Sequence, residues 1–157
     1  MAEPVIIQVE GLEELLRQFK ASNKIVARAI ERAMKKATLH LQAKIAVYPP
    51  PPPPGYWAAH ASPAQKRAFF AKGGWEGRTG TLGRSITSEV RGVGTDEVRG
   101  IVGTAIPYAP YVIGPAQAAF HAGRWKMIAE HAEEQKGQIE EFFTEAGQEI
   151  VGELAGK

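Results

Sequence analysis

The spacing of hydrophobic positions changes several times along the chain, and each change predicts a new element. Val5 to Val9 is a short β-branched run that predicts a first strand. From Leu12 to Ile45, apolar residues recur at steps of three and four, which is the pattern of an amphipathic helix. Ser22 and Asn23 interrupt that pattern, and because both residues favour caps and turns, the segment can divide there into two helices.

A run of six prolines separates this helical pattern from the next one. Pro49 to Pro54 locks the backbone into an extended polyproline II rod, which ends the helix and predicts a stiff spacer or a surface arm. Ser62 then offers an N-cap, with Pro63 at the first helical position. We therefore expect a short helix from Pro63 to Lys72, stopped by the glycines that follow.

The centre of the chain has the pattern of a β-hairpin. Ile86 to Arg91 and Val98 to Thr104 both alternate between apolar and polar residues, and a short loop with glycine and aspartate joins them. The segment from Gly114 to Gly123 is a loop or a short helix. A last helical pattern then runs from Arg124 to Leu154, where glycines weaken it only locally.

Glycines are also spaced through Gly77 to Ser85, ahead of the hairpin. The segment superficially resembles a phosphate-binding loop, but five residues separate Gly77 from Gly83, and Arg84 stands where a Walker motif has lysine. The pattern therefore does not support an NTPase. We expect these glycines to allow tight turns and close backbone approach.

Together these patterns predict an α+β fold. A small antiparallel sheet, made of the N-terminal strand and the central hairpin, packs against a long N-terminal helix and a long C-terminal helix, with a Pro-rich loop inserted between them. We expect one domain in four segments: strand and basic helix at 1–47, Pro-rich arm and short helix at 48–77, Gly-rich turn and hairpin at 78–114, and loop with acidic helix at 115–157.

Composition narrows the class of protein. A chain of 157 residues with 44% hydrophobic residues can bury a proper core. It has no cysteine, which excludes a disulfide framework, thiolate chemistry and zinc-finger ligands. Neither a signal peptide nor an apolar stretch of about 20 residues is present, so we expect no membrane association.

The two predicted long helices carry opposite net charges. Between Leu12 and Val47 there are eight Lys and Arg against three Glu, whereas Gly123 to Lys157 holds eight Glu and four Lys and Arg. The basic face can bind phosphates, form a solvated surface or pair with acidic residues of the same subunit or of a neighbour. The residues of this basic stripe are Lys20, Lys24, Arg28, Arg32 and Lys36.

The sequence offers no arrangement for catalysis, for a metal or for a cofactor. Its four histidines lack the spacing of a ligand set, and neighbouring glutamates on a helix point about 100° apart. Tyr108, Tyr111 and Trp125 form either a core corner beneath the hairpin or an interface, since aromatic residues dominate contact hot spots. Phe69 and Phe70 are adjacent and cannot both face one core, so one of them is a candidate interface residue.

The central segment resembles a tail-component family of long-tailed bacteriophages, typified by the lambdoid gene-ten product. The resemblance consists of an Arg-Thr-Gly-x-Leu-x-x-Ser-Ile turn, a hairpin ending in Val-Gly-Thr, and a Tyr-Ala-x-Tyr-Val-x-Gly corner. The Pro-rich run and the helix after it look like an insertion into that pattern. The matching positions are Arg78, Thr79, Gly80, Leu82, Ser85, Ile86, Val102, Gly103, Thr104, Tyr108, Ala109, Tyr111, Val112 and Gly114.

This resemblance implies a non-enzymatic virion protein, assembled in the host cytoplasm, that forms an oligomeric ring at the head-tail junction. Its partners would be other copies of itself, with six in the ring, the connector or stopper, and the tail terminator or tube. The basic helix could also contact DNA transiently in the lumen. The candidate contact residues are Arg78, Thr79, Gly80, Leu82, Tyr108, Tyr111, Gly114, Arg124, Trp125, Phe69 and Phe70.

Two other classes of protein remain open at this point. One is a small nucleic-acid-binding protein that uses the basic helix from Lys20 to Lys36. The other is a hydrolase whose site the sequence does not reveal. Which of these classes applies depends on how the two long helices and the tyrosine corner are arranged in three dimensions.

Overall fold

The computed structural model describes residues 4–10, 23–51, 55–56, 61–71, 80–95, 97–119 and 121–156. Eight elements lie within these residues, and we number strands and helices separately in chain order. They are β1 (Val5–Gln8), α1 (Asn23–Ile45), α2 (Pro63–Ala71), α3 (Thr81–Ser85), β2 (Thr87–Arg91), β3 (Arg99–Gly103), α4 (Pro110–Ile113) and α5 (Ile128–Ala155).

The three strands form an antiparallel sheet in the order β1-β3-β2. β2 and β3 are the expected hairpin, with Thr87 opposite Gly103. β1 pairs with the other side of β3, where Val5 lies opposite Val102. β3, the last strand in sequence, is therefore the central strand of the sheet, and it pairs with both β1 and β2.

Both long helices pack together on the sheet. α1 crosses β2 and β3, while α5 lies along α1 and also reaches β1. The two helices are antiparallel, because Arg32 contacts Glu149 near the start of α1 and Lys36 contacts Glu145 one turn later. The protein thus has the α+β architecture that the hydrophobic pattern predicts, with a three-stranded sheet against long N-terminal and C-terminal helices.

Two groups of buried residues form the core. The first gathers the end of α1, the turn before β2 and the corner after β3, and its members are Leu41, Ile45, Leu82, Ile86, Val102, Ala109, Ile113 and Ile128. The second lies between the start of α1 and the end of α5, and its members are Val26, Ala29, Ile30, Ala33, Met34, Val98, Ala146 and Ile150. Each helix therefore contributes to both ends of the core.

The crossing of α1 over the sheet depends on the absence of a side chain at Gly100. A Cβ at this position would lie 2.5 Å from the Met34 sulfur and 2.5 Å from Cγ2 of Thr38. Close by, Gln42 donates a 2.7 Å hydrogen bond to the Ile86 carbonyl and accepts one of 2.6 Å from Ser88. Glycine permits the helix to approach, and the glutamine fixes its position along β2.

Element boundaries agree closely with the sequence pattern where the structure describes them. α1 begins at Asn23, and the predicted helical residues before it, from Leu12, lie outside the described residues. α2 begins at Pro63 with the predicted cap, since Gln65 N–H donates to the Ser62 hydroxyl at 3.3 Å and the Ser62 N–H donates to the Gln65 side chain at 2.7 Å.

Three features differ from the sequence-based expectations. α5 begins at Ile128 rather than Arg124, because the residues before it form turns closed by hydrogen bonds such as Trp125 N–H to the His121 carbonyl at 3.0 Å. The short helices α3 and α4 were not predicted, since one-turn helices are too short to show a hydrophobic period.

Among the described residues, no helix is long and apolar enough to cross a membrane.

Candidate interaction surface

The corner after β3 presents two tyrosines to solvent. In α4 and the turn before it, Ala109 and Ile113 are buried in the core. Tyr108 and Tyr111 lie on the opposite side, with 46% and 59% of their surface exposed. The interpretation of a core corner therefore does not hold for the two tyrosines, which are exposed, and their interpretation as an interface stays a prediction.

Hydrogen bonds at the base of the corner hold it in place. The buried Thr104 hydroxyl lies 2.8 Å from the Ser85 hydroxyl and accepts a 3.2 Å bond from the Ile106 N–H. Gly114 closes the turn, since a Cβ there would lie 2.7 Å from Cα of Pro110. Tyr108 is only partly exposed, and the burial of the rest of its side chain, with a smaller contribution from Tyr48, raises the pKa of its hydroxyl. The tyrosines are therefore displayed from a well-packed base.

Trp125 lies inside this region rather than on its surface. Its ring meets Tyr48 edge-on, with the centroids 4.9 Å apart. Gln117 donates to the carbonyls of Trp125 and Val112, both at 2.7 Å, and so connects the loop before α5 to α4. Trp125 thus serves mainly to pack the subunit, although sequence reasoning placed it among the candidate contact residues.

Arg124 holds the beginning of the proline run. Its guanidinium donates to the carbonyl of Pro50 and lies 5.2 Å from the centre of the Tyr56 ring. Within the predicted rod, Pro49 to Pro51 are described and Pro52 to Pro54 lie outside the described part of the chain, which resumes at Gly55 and Tyr56. The candidate contact at Arg124 is therefore made within the subunit, to its own arm.

A cavity of about 510 Å³ lies beside this arm. It is bounded by the end of α1, by Pro49 and Pro50, and by the first turns of α5, which include His131 and Glu134. Burial lowers the pKa of His131, and Lys126 holds Glu134 at 2.6 Å and lowers the pKa of that carboxyl. The charged groups at the rim thus largely satisfy one another.

The glycine turn that carries part of the resemblance packs inward. Gly80 adopts a left-handed conformation with φ of 70° and leads into α3. Leu82 is only 4% exposed and belongs to the core, so it does not provide the surface contact that we expected from it. Arg78 and Thr79 lie outside the described residues.

The two phenylalanines of α2 behave as the sequence suggests. Phe70 is 60% exposed, Phe69 is half-buried, and the two rings meet edge-on at 5.4 Å. None of the nine described residues of α2 is buried. This helix therefore contributes little to the core of its own subunit.

Part of the basic stripe is neutralised within the subunit. Arg32 pairs with Glu149 and Lys36 pairs with Glu145, the latter at 2.7 Å. The two pairs are one turn apart on each helix, and they run in opposite directions because α1 and α5 are antiparallel. Lys24 and Arg28 are exposed further along the same stripe, and Lys20 lies outside the described residues.

Sequence reasoning missed the residues that organise this surface from within. Tyr48 accepts a 3.1 Å hydrogen bond from the Gly83 N–H and packs against Trp125, and Tyr56 lies beneath Arg124. The available signal was an aromatic residue directly before the prolines and another soon after them. Within the described ranges, no three His, Asp or Glu side chains are placed to hold a metal ion.

Comparison of the chain with protein-family models, with curated proteins and with solved structures gave no match.

Proposed function

We propose that this chain is a structural protein of a tailed-phage virion and forms a ring, with six copies as the resemblance implies, at the junction of head and tail. In this role it is not an enzyme. It assembles in the host cytoplasm with copies of itself and with the connector or stopper and the tail terminator or tube. The strand, long helix, hairpin and closing helix occur in the order that the resemblance implies.

The observation that supports this proposal best is the exposure of Tyr108 and Tyr111. Both residues belong to the motif on which the resemblance rests, and both are held outward by the buried Ala109 and Ile113. Large aromatic side chains on a rigid base lose little conformational freedom on binding, which is why they often dominate interfaces.

The nucleic-acid-binding alternative receives less support from the arrangement of the helices. Glu145 and Glu149 lie beside the basic stripe and engage Lys36 and Arg32. A phosphate backbone would have to compete with these carboxylates, and the pairing also reduces the positive potential along α1. Transient contact with DNA in the lumen of a ring therefore falls to Lys24 and Arg28.

Light scattering and negative-stain electron microscopy test the proposal. The purified protein is measured alone and mixed with the products of its flanking genes, and we expect rings. The double variant Tyr108→Ala/Tyr111→Ala should lose the rings and stay folded, while Val151→Ala, which alters another exposed apolar residue, should keep them. A protein that stays monomeric in every mixture, or flanking genes for a metabolic pathway, would overturn the proposal.

A further inference from the structure

An apolar groove runs along the edge of the sheet. It has a volume of about 520 Å³ and lies between β1 and one face of α5. The half-buried Val5 and Ile7 stand at the β1 side, and the half-buried Ile139 and Phe143 stand at the α5 side. The carboxylates of Glu133 and Glu140 lie at its rim with one lysine, Lys136, between them.

A helix with matching chemistry occurs elsewhere in the same chain. α2 exposes Phe70, and Lys66 and Arg67 precede that residue by one helical turn, so all three share one face. The helix contains no acidic residue. It therefore offers an apolar anchor flanked by two positive charges, whereas the groove offers an apolar floor flanked by two negative charges and one positive charge.

From this complementarity we propose that α2 of one copy docks into the β1/α5 groove of the next copy, with Phe70 against Ile139 and Phe143 and with Lys66 and Arg67 towards Glu133 and Glu140. The inference rests on the self-assembly that the proposed function includes. The helix and the groove are different surfaces, so each copy inserts its own α2 into one neighbour and receives the α2 of another neighbour in its groove. Such head-to-tail contacts close into a ring when the rotation between copies allows it.

The contact is an addition to the interface at the tyrosine corner. A nine-residue helix covers less than the area of about 800 Å² per partner that stable interfaces bury. A single phenylalanine nevertheless buries roughly 150–250 Å² and can act as an anchor in a desolvated pocket.

Cross-linking between copies tests the docking directly, since the natural chain contains no cysteine. Copies carrying Ala71→Cys, beside Phe70, are mixed at high concentration with copies carrying Lys136→Cys, at the groove rim, and treated with a short bis-maleimide. We expect a covalent dimer from this mixture. Val151→Cys in place of Lys136→Cys is the matched control, because that exposed residue of α5 is not among those lining the groove, and it should give little dimer.

Further substitutions identify the groups that hold the helix. In the cross-linking pair, Phe70→Ala and Glu140→Lys should each lower the dimer yield about tenfold, and Lys66→Glu should restore part of the yield in the Glu140→Lys background. Equal yields with the groove cysteine and the control cysteine would overturn the docking. So would a cross-link that forms within one chain when both cysteines are placed in the same dilute copy.

The outcome separates this inference from the proposed function. Rings that form without the specific cross-link would refute the docking of α2 and leave the virion role standing. A specific cross-link in a protein that makes no rings with its flanking gene products would support the docking and refute the virion role.

Discussion

The ring of Tyr48 lies edge-on against the ring of Trp125, with the centroids 4.9 Å apart and an angle of 72° between the planes. The Tyr48 hydroxyl also accepts a hydrogen bond from the Gly83 N–H at 3.1 Å. A Cβ at Gly83 would lie 2.9 Å from the tyrosine ring, so the turn before β2 is packed directly against it. One side chain thus joins the end of α1, the short helix α3 and the loop that leads into α5.

Removing the Tyr48 hydroxyl alone should have a modest effect. Tyr48→Phe leaves the Gly83 N–H without this partner, which lowers the free energy of unfolding by about 1 kcal/mol. Tyr48→Ala also removes the ring contact with Trp125, and we expect a loss of about 2–3 kcal/mol from this half-buried site. Urea unfolding measures both, with Tyr111→Phe as the exposed control that should change stability by less than about 0.5 kcal/mol. Equal stability of wild type and Tyr48→Ala would contradict this role.

Two glycine substitutions should have opposite effects. Gly100→Ala places a Cβ 2.5 Å from both Met34 and Thr38, and the strain should lower the free energy of unfolding by about 1–3 kcal/mol. Gly147→Ala lies on α5, where a Cβ would meet nothing within 4 Å, so helix propensity should stabilise the fold by up to about 1 kcal/mol. Thermal melting of the two variants checks the signs. A stable Gly100→Ala protein would mean that α1 crosses the sheet at a greater distance.

The ion pair between Lys36 and Glu145 should contribute little to stability. Both side chains are more than half exposed, at 55% and 54%, so a double-mutant cycle with alanine at each position should give a coupling energy below about 1 kcal/mol. The coupling should shrink further in 1 M salt, because the screening length falls to roughly 3 Å. A salt-independent coupling well above 1 kcal/mol would show that the pair is less hydrated than its exposure indicates.

Acidification should weaken the fold through His121. Burial, with a smaller contribution from the Arg124 guanidinium, lowers the pKa of His121 from 6.5 to about 4. Between these two values the unfolded chain binds a proton that the folded chain does not. The stabilising contribution is therefore complete above about pH 6.5 and is lost as the pH falls towards about 4.

The variant His121→Asn isolates that contribution. Urea midpoints at pH 7 and pH 5 should differ less for the variant than for the wild type. Part of the difference should remain, because burial lowers the pKa of His131 as well. An identical difference in the two proteins would mean that His121 titrates normally in the folded state.

The sequence predicted the long elements because their patterns repeat. α1 shows an apolar residue at nearly every turn. The cap signal at Ser62 and Pro63 predicted the first residue of α2 correctly. The hairpin followed from two alternating runs with a glycine-containing loop between them. Local chemistry decides each of these features, so a reader of the chain needs no tertiary contacts to find them.

Tertiary contacts decide the features that sequence reasoning missed. Leu82 and Tyr111 both belong to the motif of the resemblance, yet the first is buried and the second exposed. The apolar leucine suits the core, but whether the amphipathic Tyr111 is buried or exposed depends on how α4 packs through Ile113. The sequence showed the opposite charges of α1 and α5 but left open whether they pair within one subunit or between neighbours. The antiparallel packing of the two helices pairs them within one subunit.

The position of β1 beside β3 has a consequence for synthesis of the protein. Val5 is synthesised 97 residues before its partner Val102, so β1 leaves the ribosome well before the strand with which it pairs. At about 5–20 residues per second, the first strand waits for several seconds without its neighbour, and the slow closure of that long loop becomes a late event. Nascent chains that stop before β3 therefore expose an apolar strand, and a chaperone that covers β1 during translation would raise the yield of assembled protein.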